Sequence, residues 1–193
     1  MPYSSRIINI PHHDRVLQQK ISQNLGISKV LSQLLINRKI HNVKEAENFL
    51  QNKLSSLLSP YSFDDMGRAV GLIKRSIRDK HKIMIFGDYD VDGVTAVAVL
   101  KQALLKAGSD VCHYIPHRIK EGYGLSKDVV GLAKEKKSKL VITVDCGTNS
   151  HEEISGLRRN NIDVIITDHH EPIGEKNHSA SAIINPKIKQ SGY

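Results

Sequence analysis

Cysteine is scarce. The chain holds two, Cys112 and Cys146, with neither the paired short spacing of a zinc site nor the density of a disulfide-stapled scaffold, so a reducing cytoplasm is the expected compartment. Long apolar runs are missing as well. Nothing approaches the ~20 residues of a membrane span, and the opening stretch MPYSSRIINIPHHD lacks the basic-then-apolar form of a secretory signal; no membrane association is expected. There are no internal repeats and no low-complexity tracts. Acidic residues are outnumbered, 20 against 28 Lys and Arg, for a formal charge of +8. That balance favours an anionic partner, nucleic acid first, although many basic proteins bind no nucleic acid. The Lys-rich stretch from Lys134 to Lys139 is expected to be a solvated helix end rather than a nucleic-acid patch.

What is present describes an ordinary globular protein: 193 residues, 39% hydrophobic and 25% charged, enough for one core with a small appended lobe. Residues 1–62 read as a lobe of short helices. Asp14 caps a helix that Gly26 ends; Ser28 caps a second with Val30, Leu31, Leu34 and Leu35 as its apolar stripe. Asn42 followed by Glu45 resembles a capping pair for a third helix carrying Ala46, Phe49 and Leu50. Residues 63–193 alternate helix and strand. Met66, Ala69, Val70, Ile73 and Ile77 recur at helical spacing. Near-continuous apolar runs at 83–86, 111–115, 140–144, 164–167 and 182–184 are separated by helical stretches, one of them from about Gly93 to Ala107 with Gly108 as its stop. Such runs indicate parallel strands buried on both faces, so the expected fold is a doubly wound, mostly parallel α/β sheet with a small N-terminal helical lobe.

Three of the predicted strands end in acid: Gly87-Asp88-Tyr89-Asp90-Val91-Asp92-Gly93, Val144-Asp145-Cys146-Gly147 and Thr167-Asp168-His169-His170. In an open parallel sheet, ligands bind outside the carboxyl ends of the strands, so Asp88, Asp145 and Asp168 are expected at one edge. Crowded carboxylates repel and some would protonate; a divalent cation removes that cost. Carboxylates and water alone suit Mg²⁺, and adding an imidazole, here His169, shifts the preference toward Mn²⁺. Asp90 and Asp92, two residues apart in one turn, are both expected to face the site, and a ligand set this large suits two ions about 3.5–4 Å apart. Gly93 is expected to open a helix whose free N–H groups meet a phosphate, with Gly147-Thr148-Asn149 repeating the arrangement.

Blander explanations exist for each piece. A lone strand-end Asp is more often a helix cap. The Asp-x-Asp-x-Asp turn lacks the later acids of a calcium loop. A receiver-type phosphorylation domain gathers strand-end aspartates but has no need of His169-His170. The pair His12-His13 beside Asp14 is a look-alike with no strand to deliver it, expected to be a surface cap. It is the conjunction of three acidic strand ends with a His pair that points to a metal-dependent phosphoesterase.

GDYDVDG, VDCG and TDHHEP, in that order, resemble the successive motifs of the DHH phosphoesterases. The stretch Ile115-Pro116-His117-Arg118-Ile119-Lys120-Glu121-Gly122-Tyr123-Gly124-Leu125-Ser126 resembles the loop between the first two motifs in the RecJ-type branch, single-stranded-DNA exonucleases working from the 5′ end. The segment Glu45 to Leu50 with Asp65-Met66, and Ile184-Asn185-Pro186, resemble the same branch. The resemblance implies metal ligation by Asp90, Asp92, Asp145 and His169 and catalytic, orienting or phosphate-contacting roles for Asp88, Asp168 and His170. It also implies a terminal-phosphate contact from Arg118, and a stacking surface from Tyr123; loop packing of Tyr123 and a plain surface role for Arg118 stay open. Cys146 is expected to be a semi-buried neighbour of Asp145, not a nucleophile. Further implied are Mn²⁺ or Mg²⁺, two ions in the complete protein, single-stranded DNA as substrate, and single-strand-binding or recombination proteins as partners, with a role in DNA repair. In that branch the chain would continue past Tyr193 with a further metal-binding aspartate and a second, glycine-rich domain. The sequence is therefore expected to be an N-terminal fragment whose site is completed elsewhere and whose activity alone is in doubt. A small-substrate phosphoesterase and a non-catalytic binding module are the alternatives.

Overall fold

The computed structural model describes residues 14–51, 53–122, 124–174, 179–189 and 191–192; the His12-His13 pair and Tyr123 lie outside them. The chain divides into two compact units, Met1–Leu58 and Ser59–Tyr193.

The first unit contains α1 (Arg15–Leu25), α2 (Lys29–Asn37) and α3 (Val43–Leu50). Each helix starts at a capping side chain. Asp14 accepts the Leu17 amide at 2.9 Å, Ser28 that of Leu31 at 3.1 Å and Asn42 that of Glu45 at 2.8 Å, satisfying donors that a helix start leaves orphaned. Glu45 reaches back to the His41 amide at 2.9 Å. Gly26, at φ 63°, closes α1 in the left-handed conformation. Ile21, Leu35 and Ala46 form its small core. The stripe predicted for α2 is displaced: Leu35 is buried, but Val30, Leu31 and Leu34 are exposed, and the other buried position belongs to Ser32. Ser32 can be buried because its hydroxyl donates to the Ser28 carbonyl at 3.1 Å. Phe49 and Leu50 are likewise largely exposed, leaving Ala46 as the buried contact of α3.

The second unit is the α/β domain. Its strands are β1 (Lys82–Gly87), β2 (Val111–Tyr114), β3 (Ser138–Val144), β4 (Asp163–Thr167) and β5 (Ala182–Ile184). The helices are α4 (Met66–Arg78), α5 (Val91–Lys106), the single turn α6 (Arg118–Glu121), α7 (Val129–Glu135) and α8 (His151–Arg159). All strand pairs are parallel, in the order β2-β1-β3-β4-β5. Alternate residues of each strand point to opposite faces, and both faces are covered. Met84, Phe86, Val141, Val164 and Ile166 pack with Val129, Ala133, Ile154 and Leu157 of α7 and α8. Ile83, Ile85, Leu140, Ile142 and Ile165 pack with Ala69 of α4 and Val97 and Leu104 of α5. This double coverage is why the strands read as unbroken apolar runs. Asp65, at the start of α4, accepts the Ile183 amide at 2.9 Å and so ties α4 to the edge strand β5. Among the described residues no helix is long and apolar enough to cross a membrane.

The chain steps from β1 outward to β2 and then returns to place β3 on the other side of β1. The order therefore reverses between β1 and β3, and the crevice outside the carboxyl ends of these two strands is where such sheets bind ligands.

Candidate metal centre

Strand register brings the acids together. Gly87 of β1 pairs with Val144 of β3, and Val144 pairs with Thr167 of β4. Asp88, Asp145 and Asp168 are the next residues of three adjacent strands and emerge side by side. The ladder continues one step past the strands: the Asp145 amide donates to the Thr167 carbonyl at 2.9 Å, and the Asp168 amide to the Ile184 carbonyl at 3.0 Å. Asp145 then turns sharply, at φ 60°. That left-handed conformation is uncommon for non-glycine residues and is least unfavourable for Asp and Asn; strain of this kind persists where surrounding structure holds it.

Two groups of ligand atoms result, each with all members within 4.8 Å of one another: Asp88, Asp90 and Asp145, and Asp145, His169 and His170. Asp145 belongs to both. Its Oδ1 lies 2.9 Å from His169 Nε2, and the two imidazole rings sit 4.6 Å apart, tilted by 41°. The electrostatics are those of a site short of positive charge. Burial pushes the Asp88 carboxyl up, and the nearby Asp90 charge pushes the same way against the Tyr89 amide. Asp145 is also raised, first by burial and then by Asp90. Asp90 goes the other way, lowered chiefly by the Gly93 amide. Asp88 is only 2% exposed, and its buried Oδ1 finds no hydrogen-bond donor among the described residues. A buried carboxylate oxygen without a donor is costly, and two further carboxylates beside it deepen the deficit. Donors of this type, with imidazole nitrogens at the open side, fit a divalent cation.

Asp168 stands apart from both groups. Its Oδ2 accepts the Thr148 amide at 2.9 Å; its Oδ1 accepts the amides of His169 at 2.7 Å and His170 at 3.2 Å and meets His170 Nδ1 at 2.7 Å. Burial alone would raise its carboxyl, but the hydroxyl and amide of Thr148 and the bonds from His170 outweigh burial and hold it below the usual range. Asp168 is thus placed to orient His170.

Several expectations meet a different geometry. The helix after the first motif begins at Val91, two residues before Gly93, with Asp90 as its cap. The Gly93 amide is taken by Asp90 Oδ1 at 3.0 Å, so that N–H is not free for a phosphate. Asp92 lies in the first turn of α5, exposed and outside both ligand groups. Asp90, the cap, and Asp92, in the first turn, therefore do not meet in one ligand group here. Gly147, at φ 112°, sits in a buried turn rather than a helix start; α8 begins only at His151, and the Thr148 amide is occupied by Asp168. A Cβ on Gly147 would lie 2.7 Å from Thr143 Oγ1, so its role in this fold is to let the turn pass. Arg118 opens the turn α6, its guanidinium carbon 5.4 Å from the centroid of the Tyr89 ring, a cation–π distance. Cys146 is fully buried, with its thiol pushed far up by burial and by the surrounding aspartates.

Sequence reading gave no individual role to four residues that the structure makes important, although Glu121, Thr148 and Asn185 each stand in a stretch it singled out. Tyr89, between two motif acids, is the platform for Arg118. Glu121 pins the Arg118 turn by accepting the His117 amide at 2.7 Å and the Tyr114 hydroxyl at 2.8 Å. Thr148 and Asn185 form a buried polar chain behind Asp168. Only spacing could have flagged Glu121, four residues after His117; the others are single polar residues whose partners are distant in sequence. Beside this turn lies an open polar cavity of about 630 Å³ lined by Lys120, Glu121, Lys127, Asn149 and Ser150 among others. It adjoins the loops carrying the acids but does not contain them.

Comparison with known proteins agrees with this geometry. The family model described as DHH family, N-terminal domain, matches residues 82–192. The chain is 38% identical over 180 residues to the single-stranded-DNA-specific exonuclease RecJ of Bacillus subtilis, covering 93% of this chain and 22% of that protein. It is 32% identical to the RecJ of Escherichia coli, covering 85% of this chain and 28% of the relative. The chain thus spans well under a third of the length of these relatives. Among solved structures, exonuclease RecJ bound to manganese aligns with TM-score 0.62 and 35% identity over 69% of this chain and 34% of that one. RecJ of Thermus thermophilus in complex with Mn²⁺ aligns with TM-score 0.63 and 25% identity over 91% of this chain and 24% of that one. With the three motifs side by side at one sheet edge and the family model spanning all of them, the chain belongs to the DHH family.

Proposed function

We propose that this chain carries the metal-binding core of a divalent-cation-dependent phosphodiesterase that degrades single-stranded DNA, acting within a protein of the length of its RecJ relatives. The observation that carries the reading is the meeting of two ligand groups at Asp145, in the crevice between β1 and β3. Asp88, Asp90, Asp145 and His169 would hold the cations; Asp92 joins them on its motif position. Mn²⁺ and Mg²⁺ both suit the oxygen donors, and the imidazoles favour Mn²⁺. Bound ions supply Lewis-acid neutralisation of the charge that develops on the phosphate.

The chain's own residues do the rest. Asp168 fixes the ring of His170, which then orients or protonates the leaving oxygen. Arg118, held over Tyr89 in a turn pinned by Glu121, presents a planar guanidinium to a terminal phosphate; attack from the 5′ end rests on the resemblance to the RecJ-type branch alone. Gly93 and Gly147 permit the close backbone approaches that set the acids in place. The net positive charge draws a polyanionic strand toward the acidic crevice and makes binding salt-dependent. Single-strand-binding and recombination proteins are the partners this activity calls for, in DNA repair, and two free cysteines suit the cytoplasm.

The test uses the full-length protein with a long 5′-phosphorylated single strand. Asp90→Ala and Asp145→Ala are expected to abolish Mn²⁺-dependent degradation; retained activity in both would end the reading. Faster hydrolysis of a dinucleotide than of the long strand would instead place the protein among small-substrate phosphoesterases.

A further inference from the structure

Behind the acids lies a second set of buried polar groups that bears on no ion directly. Asn185, just past β5, is completely buried. Its Nδ2 donates to Thr148 Oγ1 at 2.8 Å and to the His170 carbonyl at 2.9 Å, while its Oδ1 accepts the Lys187 amide at 2.8 Å. These three bonds leave its amide one orientation, since the carbonyl needs a donor and the Lys187 N–H an acceptor.

The consequence passes along a chain. Thr148, 1% exposed, owns a single hydroxyl hydrogen. Because Oγ1 accepts from Asn185, that hydrogen is free to go to Asp168, which takes a bond from the Thr148 side chain as well as from its amide. Asp168 is then surrounded by donors alone: two from Thr148, the amides of His169 and His170, and the His170 ring at Nδ1. A carboxylate offered only donors remains an acceptor, so Nδ1 of His170 must carry its proton.

We propose that Asn185 and Thr148 are positioning residues that act through Asp168 to fix His170 as the Nδ1–H tautomer, leaving the Nε2 lone pair for the site. The role in the reaction rests on the function proposed above; the tautomer itself does not. His170 belongs to one ligand-atom group with Asp145 and His169. A ring protonated at Nε2 alone would offer a hydrogen where a cation requires a lone pair. The relay also joins the ends of β3, β4 and β5, so that an edge strand bearing no ligand sets the state of a ring at the end of its neighbour. Polar groups supporting a ligand or catalytic side chain typically change metal affinity ten- to hundred-fold when lost.

The experiment is a two-bond ¹H–¹⁵N correlation spectrum of this 193-residue chain, labelled with ¹⁵N, free of metal and at a pH that keeps imidazole neutral. Wild type is expected to show His170 as Nδ1–H. Thr148→Val removes the hydroxyl and Asn185→Asp replaces the donating amide with an acceptor; both are expected to bring in the Nε2–H form and to weaken Mn²⁺ binding by about ten- to hundred-fold. Thr148→Ser keeps the hydroxyl and should restore both readouts, and Thr148→Ala serves if the valine variant does not fold. An Nε2–H ring in wild type overturns the proposal. So does an unchanged tautomer in the hydroxyl-free variant, whatever happens to Mn²⁺ affinity, since affinity lost without a tautomer change marks a merely structural role. The expected tautomer in wild type together with failure of the full-length protein to bind Mn²⁺ would count against the proposed function and leave the relay standing.

Discussion

Gly93 and Asp88 share backbone space. A Cβ built on Gly93 would lie 2.6 Å from the Asp88 amide nitrogen and nearer still to its carbonyl oxygen, because the first turn of α5 folds back over the end of β1. The obstacle is main chain, which cannot swing aside as a side chain can. Gly93→Ala is therefore expected to push α5 away from the strand end, costing about 1–3 kcal/mol and displacing Asp88 from the ligand groups. Urea unfolding and Mn²⁺ calorimetry together check this; an alanine variant with unchanged midpoint and unchanged Mn²⁺ affinity would show that the close approach constrains nothing.

The site sets function against stability. Asp88, Asp90 and Asp145 are crowded, and both burial and the charge of Asp90 oppose ionisation of Asp145. Asp145→Asn keeps the shape and can still accept from His169 while removing one charge. Without metal this variant is expected to be more stable than wild type by about 1 kcal/mol, a shift of roughly 2–4 °C in a domain of this size. Added Mn²⁺ should raise the melting midpoint of wild type and leave the variant unmoved. A lower metal-free midpoint in the variant would show that its bond with His169 outweighs the repulsion.

Much of this arrangement was legible because parallel strands deliver their last residues to one edge. Asp88, Asp145 and Asp168 needed only the strand assignment to be placed together. What the sequence concealed was local backbone use. Asp90 and Asp92 look equivalent in Asp-x-Asp-x-Asp until α5 begins at Val91; Asp90 then becomes a cap and Asp92 an exposed residue of the first helical turn. Val30 and Leu34 look more like core than Ser32 does, and only the hydrogen bond to Ser28 explains the reversal. Asn185 carries no periodicity at all: its meaning comes from Thr148, 37 residues earlier in the chain.

The turn bearing Arg118 should loosen in acid. Glu121 is held below the ordinary carboxylate range, first by the His117 amide and then by the Tyr114 hydroxyl. A depressed folded-state pKa means that the stabilisation is fully present above the unfolded value and is lost as pH falls through the folded one. The His117 amide resonance should therefore titrate below the pH at which an unperturbed glutamate does, and Glu121→Gln should abolish that titration. Because Glu121 is exposed, the effect belongs to the turn and not to global stability. A His117 resonance that titrates in the ordinary glutamate range would contradict the pinning role.

The opposite edge of the sheet offers room for improvement. Helices α4, α7 and α8 each run into β1, β3 and β4 through one residue in the left-handed conformation: Lys80 at φ 53°, Lys137 at φ 56° and Asn161 at φ 56°. Each closes its helix by donating to the carbonyl three residues back, at 3.2, 2.9 and 3.0 Å respectively. Glycine is the usual occupant of this position, since a Cβ there crowds the carbonyl oxygen and costs about 1–2 kcal/mol. Both lysines are exposed, so replacing either loses little packing. Against the strain relieved stands the extra freedom glycine gives the unfolded chain, about 0.5–1 kcal/mol. Lys80→Gly and Lys137→Gly are each expected to gain roughly 0.5–1 kcal/mol, seen as a higher urea midpoint at constant slope. Asn161→Gly should gain less, because asparagine already tolerates this conformation. A lysine-to-glycine change that lowers the midpoint would mean that the lysine side chains, set at helix C-termini where positive charge is favoured, contribute more than the strain they impose.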